Sequence, residues 1–405
     1  MLKVIPKKMF SLNSRTSKSV LTLGIIKAQG LTATVMLTIM LSFTSLSVYS
    51  QGCVAIRSFG GCAAGTGGGA ILMPGESMIG ANYRYFESFR HFRGDHQETE
   101  RIENGTQVIN NSNFLDLSFT YSFAERFYAS LTIPFVYHDR SSMYEHGGNN
   151  LGDRHWTSAS GLADIRLGAG YWLIDQEKYQ KGNLALALGM KFPTGNYKAT
   201  DRFYNVGENG ESEIRPVDQS IQPGDGGFGI TVELQGYQQF GNAFILNGNF
   251  YYLINPRETN SSRRTPTSDP FSVTDQFAAR LGLNYMTPLH GLDVYLGGRL
   301  EGIPVYDLIG GSDGFRRPGY VISLEPGVNY GFRNLFFNVS VPIALARNRT
   351  QSYLDKQRER ETGTPRHGDA AFADYLINVG VTWRFSGKHK TPEINLEHST
   401  DMYSN

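Results

Sequence analysis

Three groups of residues in this chain carry side chains able to do chemistry. The first is a cysteine pair. Cys53 and Cys62 are the only cysteines among 405 residues, and they stand close together in the glycine-rich ribbon QGCVAIRSFGGCAAGTGGGA. Two thiols cannot complete a four-ligand zinc site, and nothing nearby has ligand spacing. In an oxidising compartment the pair would close a small disulfide loop. Free thiols are a second reading. A lipid on Cys53 is a third, although Tyr49-Ser50-Gln51-Gly52 fits a lipoprotein signal poorly. GTGGGA is not a phosphate loop, because neither a Lys-Ser or Lys-Thr pair nor a helix follows it.

The second group is His138-Asp139 with Ser141 and Ser142. A hydrolase needs a nucleophile, a base and an orienting group that converge. Neighbours on a strand point to opposite faces, which works against convergence here. His91, His96, His146, His155 and His367 fall in polar stretches and are expected to be solvated. No catalytic residue, metal site or cofactor is expected.

The third group is a set of charges that alternate with apolar residues: Arg84, Asp116, Asp164, Arg166, Lys191, Glu233, Arg280, Arg299, Glu301, Glu325, Asp374 and Arg384. Their positions are set by the segments that carry them. In NFLDLSFTYSF, Leu115, Leu117, Phe119, Tyr121 and Phe123 share one face, and Asp116, Ser118, Thr120 and Ser122 the other. Period two of this kind marks a strand with one apolar and one polar side. Such segments recur at 76–87, 113–123, 127–137, 161–173, 183–193, 227–240, 243–254, 273–286, 292–304, 319–330, 335–345 and 373–385. Their connections alternate between short ones (AER, DQEKYQKG, GN, TPLHG, GFRN) and long polar ones at 88–112, 138–160, 194–226, 255–272, 305–318 and 346–372.

That sorting of loops predicts an all-β fold: a closed antiparallel transmembrane β-barrel of about twelve strands, with short periplasmic turns and long extracellular loops. A soluble sandwich has no reason to sort its loops by length. Aromatics near segment ends, among them Phe123, Phe127, Tyr171, Tyr285 and Trp383, fit interfacial girdles. Period two alone does not say which face meets lipid.

The N-terminus fits this placement. Lys3, Lys7, Lys8, Arg15, Lys18 and Lys27 precede the uncharged run LTATVMLTIMLSFTSLSV. A basic lead and an apolar core describe an export signal over residues 1–50, the alternative being a retained transmembrane helix. The ribbon 51–75 would then be a periplasmic leader or a plug, 76–385 the barrel, and 386–405 a polar tail. Net charge is +1, so nothing supports a nucleic-acid partner. The expected partners are outer-membrane lipid and lipopolysaccharide, the barrel assembly machinery and a small hydrophobic solute.

Several segments also resemble a known family. GLADIRLGAGYWL, LALALGMKFPTGNYK, QPGDGGFGITVELQGYQQFG, GLDVYLGGRLEGIP and SLEPGVNYGFRNLFFNVSVPIAL resemble, in that order, outer-membrane barrels associated with the meta-pathway of phenol degradation. These are similar in kind to fatty-acid and aromatic hydrocarbon channels. The resemblance covers roughly residues 160–385 and implies passage of small aromatic or other hydrophobic compounds. A non-conducting structural or adhesive barrel acting through its loops is the alternative.

If the polar faces line a lumen, the solute-binding candidates are Arg166, Glu233, Arg299, Glu301, Asp116 and Asp164, with pairing that braces the wall as the other role for these charges. Five ascending segments carry a proline near their outer end, at Pro134, Pro193, Pro256, Pro304 and Pro342. Proline cannot donate to a ladder and marks its end or a bulge. Pro134 and Pro342 come early enough to kink the wall and open a lateral exit to lipid.

Overall fold

A computed structural model describes residues 71–147 and 154–385. The export segment 1–50, the Cys53–Cys62 ribbon and the tail 386–405 lie outside the described residues. The described chain folds as a closed antiparallel barrel of twelve strands. They are β1 (Ser77–Arg93), β2 (Ile109–Ala124), β3 (Phe127–Ser141), β4 in two pieces (Thr157–Leu162 and Arg166–Trp172), β5 (Gly182–Lys191) and β6 (Gly229–Phe240). The remainder are β7 (Phe244–Ile254), β8 (Gln276–Met286), β9 (Leu292–Ile303), β10 (Gly319–Phe332), β11 in two pieces (Leu335–Ser340 and Ile343–Asn348) and β12 in two pieces (Ala370–Ala373 and Ile377–Phe385). Each strand pairs with its chain neighbours, and β12 returns to β1 with Phe385 opposite Ser77. Arg384 Nε donates to Glu76 Oε2 at 3.1 Å, and Met73 N donates to the same oxygen at 2.8 Å, which fastens the seam at its periplasmic end.

Which face meets lipid is decided by exposure. Leu115, Leu117, Phe119, Tyr121 and Phe123 are 39% to 53% exposed, while Asp116, Thr120 and Ser122 are buried. The barrel is therefore inside-out, with apolar residues outward and polar residues in the lumen. Aromatic pairs ring its periplasmic rim: Phe127 with Tyr171 at 4.5 Å, Trp383 with Phe385 at 4.5 Å and Phe244 with Tyr285 at 5.3 Å between centroids. Among the described residues no helix is long and apolar enough to cross a membrane.

Three expected strands differ from their sequence boundaries. The segments 161–173, 335–345 and 373–385 read as continuous, yet each is interrupted, at 163–165, at 341–342 and at 374–376. The strands also stand taller than expected, β1 reaching Arg93 and β2 beginning at Ile109, because polar stretches there still pair above the membrane. Pro193, Pro256 and Pro304 sit one or two residues past the ends of β5, β7 and β9, where pairing stops.

Some of the long loops carry secondary structure of their own. Loop 192–228 carries a hairpin of Thr200–Phe203 with Glu213–Pro216. Loop 349–369 carries α1 (Tyr353–Thr362). Ser352 and Asp355 form a reciprocal capping box at its start, and Gly363 ends it at φ 67°.

An arginine on the lipid face must cost more than one in the lumen. Leu117→Arg, at mid-height on β2, is expected to destabilise the barrel by about 2–4 kcal/mol. Equilibrium unfolding in lipid vesicles checks this, with Ser118→Asn on the lumen face as the near-neutral control.

Candidate functional site

All twelve charges singled out in the sequence lie on the lumen side, buried or half-buried. On β9, Arg299 Nη2 donates to Glu301 Oε2 at 2.8 Å. Arg280 of β8 reaches past β9 to Glu325 of β10 at 3.0 Å and lies 4.2 Å over the Tyr295 ring. Ser340 donates to Glu325 at 2.7 Å. Arg84 stacks 4.3 Å over Phe114, and Arg166 lies 5.8 Å from the centre of Tyr251. A charge buried without a partner costs several kcal/mol, so opposite signs must meet. They do so across strands and brace the barrel at this height.

Little room remains between them. A cavity of about 30 Å³ is lined by Thr120, Thr132, Arg166, Glu233, Gln235 and Tyr251. Of the predicted solute residues, Arg166 and Glu233 therefore share a cavity, and Asp116 is within electrostatic reach of Arg166. Arg299 and Glu301 pair with each other. Asp164 stands apart, in the break of β4.

That break sits beside Pro134. On the β2 side Pro134 stays in register opposite Asp116. On the β4 side its carbonyl accepts from Ala163 N at 2.8 Å, and the next residues leave the ladder. Asp164 turns inward, 3.3 Å from Lys191 Nζ, and accepts from Gly195 N at 3.0 Å and Asp225 N at 3.2 Å. Lys191 also meets Asp225 and donates to Gly227 O at 2.8 Å. The KFPTG and QPGDGG motifs thus close on each other. A Cβ on Gly224 would lie 2.4 Å from the Gly195 carbonyl oxygen, so only glycine permits this approach.

A related break lies at Pro342, which sits in the gap between the two pieces of β11. Its carbonyl accepts from Leu376 N at 3.0 Å, and Asp374 turns to Arg90 at 3.3 Å. At the first break the proline thus faces the Ala163-Asp164 pair, and at the second it faces Leu376, two residues beyond Asp374.

Between the breaks the inner wall is apolar. Phe86 of β1, Phe114 of β2 and Val136 of β3 form one buried cluster with Ala163 at one end and Ala373 and Leu376 at the other. Phe86 and Phe114 stack at 5.8 Å, and Phe114 meets the His138 ring edge-on at 5.0 Å. A cavity of about 70 Å³ opens beside them, bounded by Gln219, Gln222, Gly224 and Asp225 of loop 192–228, which lies across the upper lumen. The sequence reading missed this band. Its signal was present: Phe86, Phe114 and Val136 each occupy a position where the alternation calls for a polar residue.

Above the band a larger cavity of about 360 Å³ opens among the loops. Asp218 lies at its base, held by Arg317 through two bonds of 2.8 Å and near Arg140 at 3.7 Å. Burial would raise the Asp218 carboxyl, but Arg140, Arg317 and Arg264 overcome it and hold it well below the usual range. Nearby, His91 is buried rather than solvated. Its Nε2 accepts from Val108 N at 2.8 Å, so Nδ1 carries the proton toward Asp369 at 2.5 Å. Burial opposes ionisation of Asp369, yet His91 and Arg101 keep it below its usual range. His146 is also buried rather than solvated: burial lowers its pKa, and its Nδ1 accepts from Tyr204 N at 3.0 Å. At the rim, His138 points inward, whereas Asp139 accepts from Ser158 Oγ at 2.6 Å, so these two do not converge.

An inside-out, laterally interrupted barrel of this kind is a bacterial outer-membrane β-barrel protein. Residues 95–358 match the family described as "Putative MetA-pathway of phenol degradation", and the chain belongs to that family. Among solved structures it is similar to the COG4313 outer membrane channel from Pseudomonas putida F1, with 14% identity, 78% of this chain and 97% of that chain covered, and a TM-score of 0.52. It is also similar to the Pseudomonas putida toluene transporter TodX, at 10% identity, 83% and 98% coverage and a TM-score of 0.38. A third is the translocator domain of autotransporter NalP from Neisseria meningitidis, at 12% identity, 78% and 90% coverage and a TM-score of 0.37. No curated protein sequence matches.

Asp218→Asn leaves the arginines around it without their shared anion and is expected to cost about 3 kcal/mol, read by urea unfolding in detergent. The depressed pKa values of Asp218 and Asp369 fix the pH window. Their contribution is full above the unfolded carboxyl value of about 4 and fades only as pH falls below it. Near-ultraviolet circular dichroism is expected to stay constant from about pH 8 to 5 and to change below about 4.

Proposed function

We propose that this protein is an outer-membrane channel for small hydrophobic or aromatic solutes, with a lateral route out of the barrel. The observation that carries the reading is the apolar band Phe86–Phe114–Val136, whose two ends are the wall interruptions beside Pro134 and Pro342. A straight aqueous path is disfavoured because paired charges fill the lumen below the band. A solute entering from the loops would meet the band, slide along it and leave where the ladder is broken. Asp164 and Asp374 would act as hinges, since each turns away from the wall to bond a cation inside. The similarity to the COG4313 channel supports the fold on which this depends. Arg166, Glu233, Asp116, Arg299 and Glu301 take the role of a brace beneath the route.

A packed lumen also favours the second reading, a structural or adhesive barrel acting through its loops. The apolar band distinguishes the two, because a brace needs no greasy stripe inside a polar lumen.

Transport is measured as uptake of a neutral aromatic probe, toluene, into vesicles holding the refolded full chain. Val136→Glu is expected to reduce uptake at least tenfold. Ala163→Trp, which fills the interruption, is expected to reduce it while leaving ion conductance in planar bilayers unchanged. Uptake by both variants equal to that of the parent would sink the lateral route. The ribbon 51–75 is read as the periplasmic lead-in to the barrel. Conductance that appears only after reduction would make its Cys53–Cys62 loop a plug, and conductance equal in both redox states would make it a leader.

A further inference from the structure

The loop cavity holds an arrangement that passage of a neutral solute does not require. Its wall presents Arg101, Arg140, Arg215, Arg264 and Arg317 against Glu145, Asp218 and Asp369. Glu98 and Glu213, just outside the lining, also pair with Arg101 and Arg215, and Arg93 and Arg154 stand close behind. Positive charge stays in excess over this whole group.

The excess is concentrated at Phe315. Arg317 lies 4.7 Å and Arg264 5.0 Å from the centre of that ring. A cation near an aromatic ring in this way is attracted by the ring while its N–H groups stay able to meet a planar acceptor. Arg317 already spends its edge on both oxygens of Asp218. Arg264 is exposed and lies within electrostatic reach of Asp218, but it forms no direct ion pair among the described residues. Thr265 and Ser268 line the cavity beside it. Tyr144, Phe203 and Pro216 supply apolar surface.

We infer that this cavity binds the carboxylate of a small aromatic acid, with Arg264 as its main anchor and the ring against Phe203 and Pro216. An oriented guanidinium edge suits a planar carboxylate better than a neutral solute. A cavity of about 360 Å³ accepts a single substituted ring. Asp218 repels the anion from the deeper position on Arg317 and keeps it at the mouth. The inference rests on the proposed channel reading only in treating the loop cavity as the entrance, and binding is tested without transport.

The experiment is equilibrium binding of radiolabelled benzoate to the refolded full chain in detergent. Benzyl alcohol, of the same shape but uncharged, and inorganic phosphate serve as competitors. Saturable benzoate binding, at least fivefold weaker in Arg264→Gln and restored in part by Arg264→Lys, is the expected result. Benzyl alcohol should displace benzoate poorly. Benzoate bound no better than benzyl alcohol, or equally by Arg264→Gln, would overturn the inference. Displacement by phosphate at the concentration of benzoate would overturn it as well, since the site would then be a general anion site of the kind lipopolysaccharide phosphate could fill. Failed toluene uptake with intact benzoate binding would count against the lateral channel alone.

Discussion

Hydrocarbon offers no hydrogen-bond partners, and that single constraint shapes this molecule. Every backbone N–H and C=O at membrane depth must find a partner within the protein. A sheet meets the demand only by closing, which is why Ser77 lies opposite Phe385 and the chain's two ends of the barrel are fastened through Glu76 and Arg384. Closure turns one face of every strand to lipid, so the apolar residues go outward. What remains is a narrow lumen with many polar side chains, and low dielectric makes them pair.

The two breaks in the wall are exceptions that obey the same rule. A proline cannot donate, so the ladder beside Pro134 or Pro342 would leave groups unpaired. The chain solves this by letting the proline carbonyl accept from Ala163 N or Leu376 N and by turning an aspartate inward to a buried cation. At the first break the end of β5 and loop 192–228 complete the repair, with Phe192 N donating to Ile165 O at 2.8 Å and Thr194 Oγ1 accepting from Ile165 N at 2.9 Å. The glycine motifs are conditions of that repair, because a side chain at Gly224 would hold the loop away.

Inside, the barrel is divided by height. An apolar cluster of Ile71, Tyr128 and Trp172 lies at the periplasmic end, the middle of the lumen is ionic and braced, the upper wall carries an apolar stripe, and the loops above hold an arginine-lined chamber. Such a sequence of environments suits a solute that is collected from water by charge or shape and then handed to a greasy surface. It also explains why the solute candidates chosen from the sequence divided as they did. Arg299 and Glu301 lie two residues apart on one strand face, so their nearest partner was always each other. Arg166 and Glu233 come from strands separated by β5, and only the curvature of the closed sheet brings them around one cavity.

Fold and topology were legible in the amino-acid order, because period-two alternation and the sorting of loops by length are local properties. Strand number, the lumen charges and the prolines that end β5, β7 and β9 follow from them. The inward set Phe86, Phe114 and Val136 was visible as breaches of alternation, yet its meaning depended on register, which lines the three up across neighbouring strands. Burial of His91 and His146 was hidden, since loop composition resembles that of solvated surface while the loops fold against one another. Local sequence thus determined which segments are strands and which residues share a face. Only the closed tertiary structure decided which face meets lipid, where the ladder is interrupted and which charges meet, because each of these depends on strands distant in the chain being held side by side.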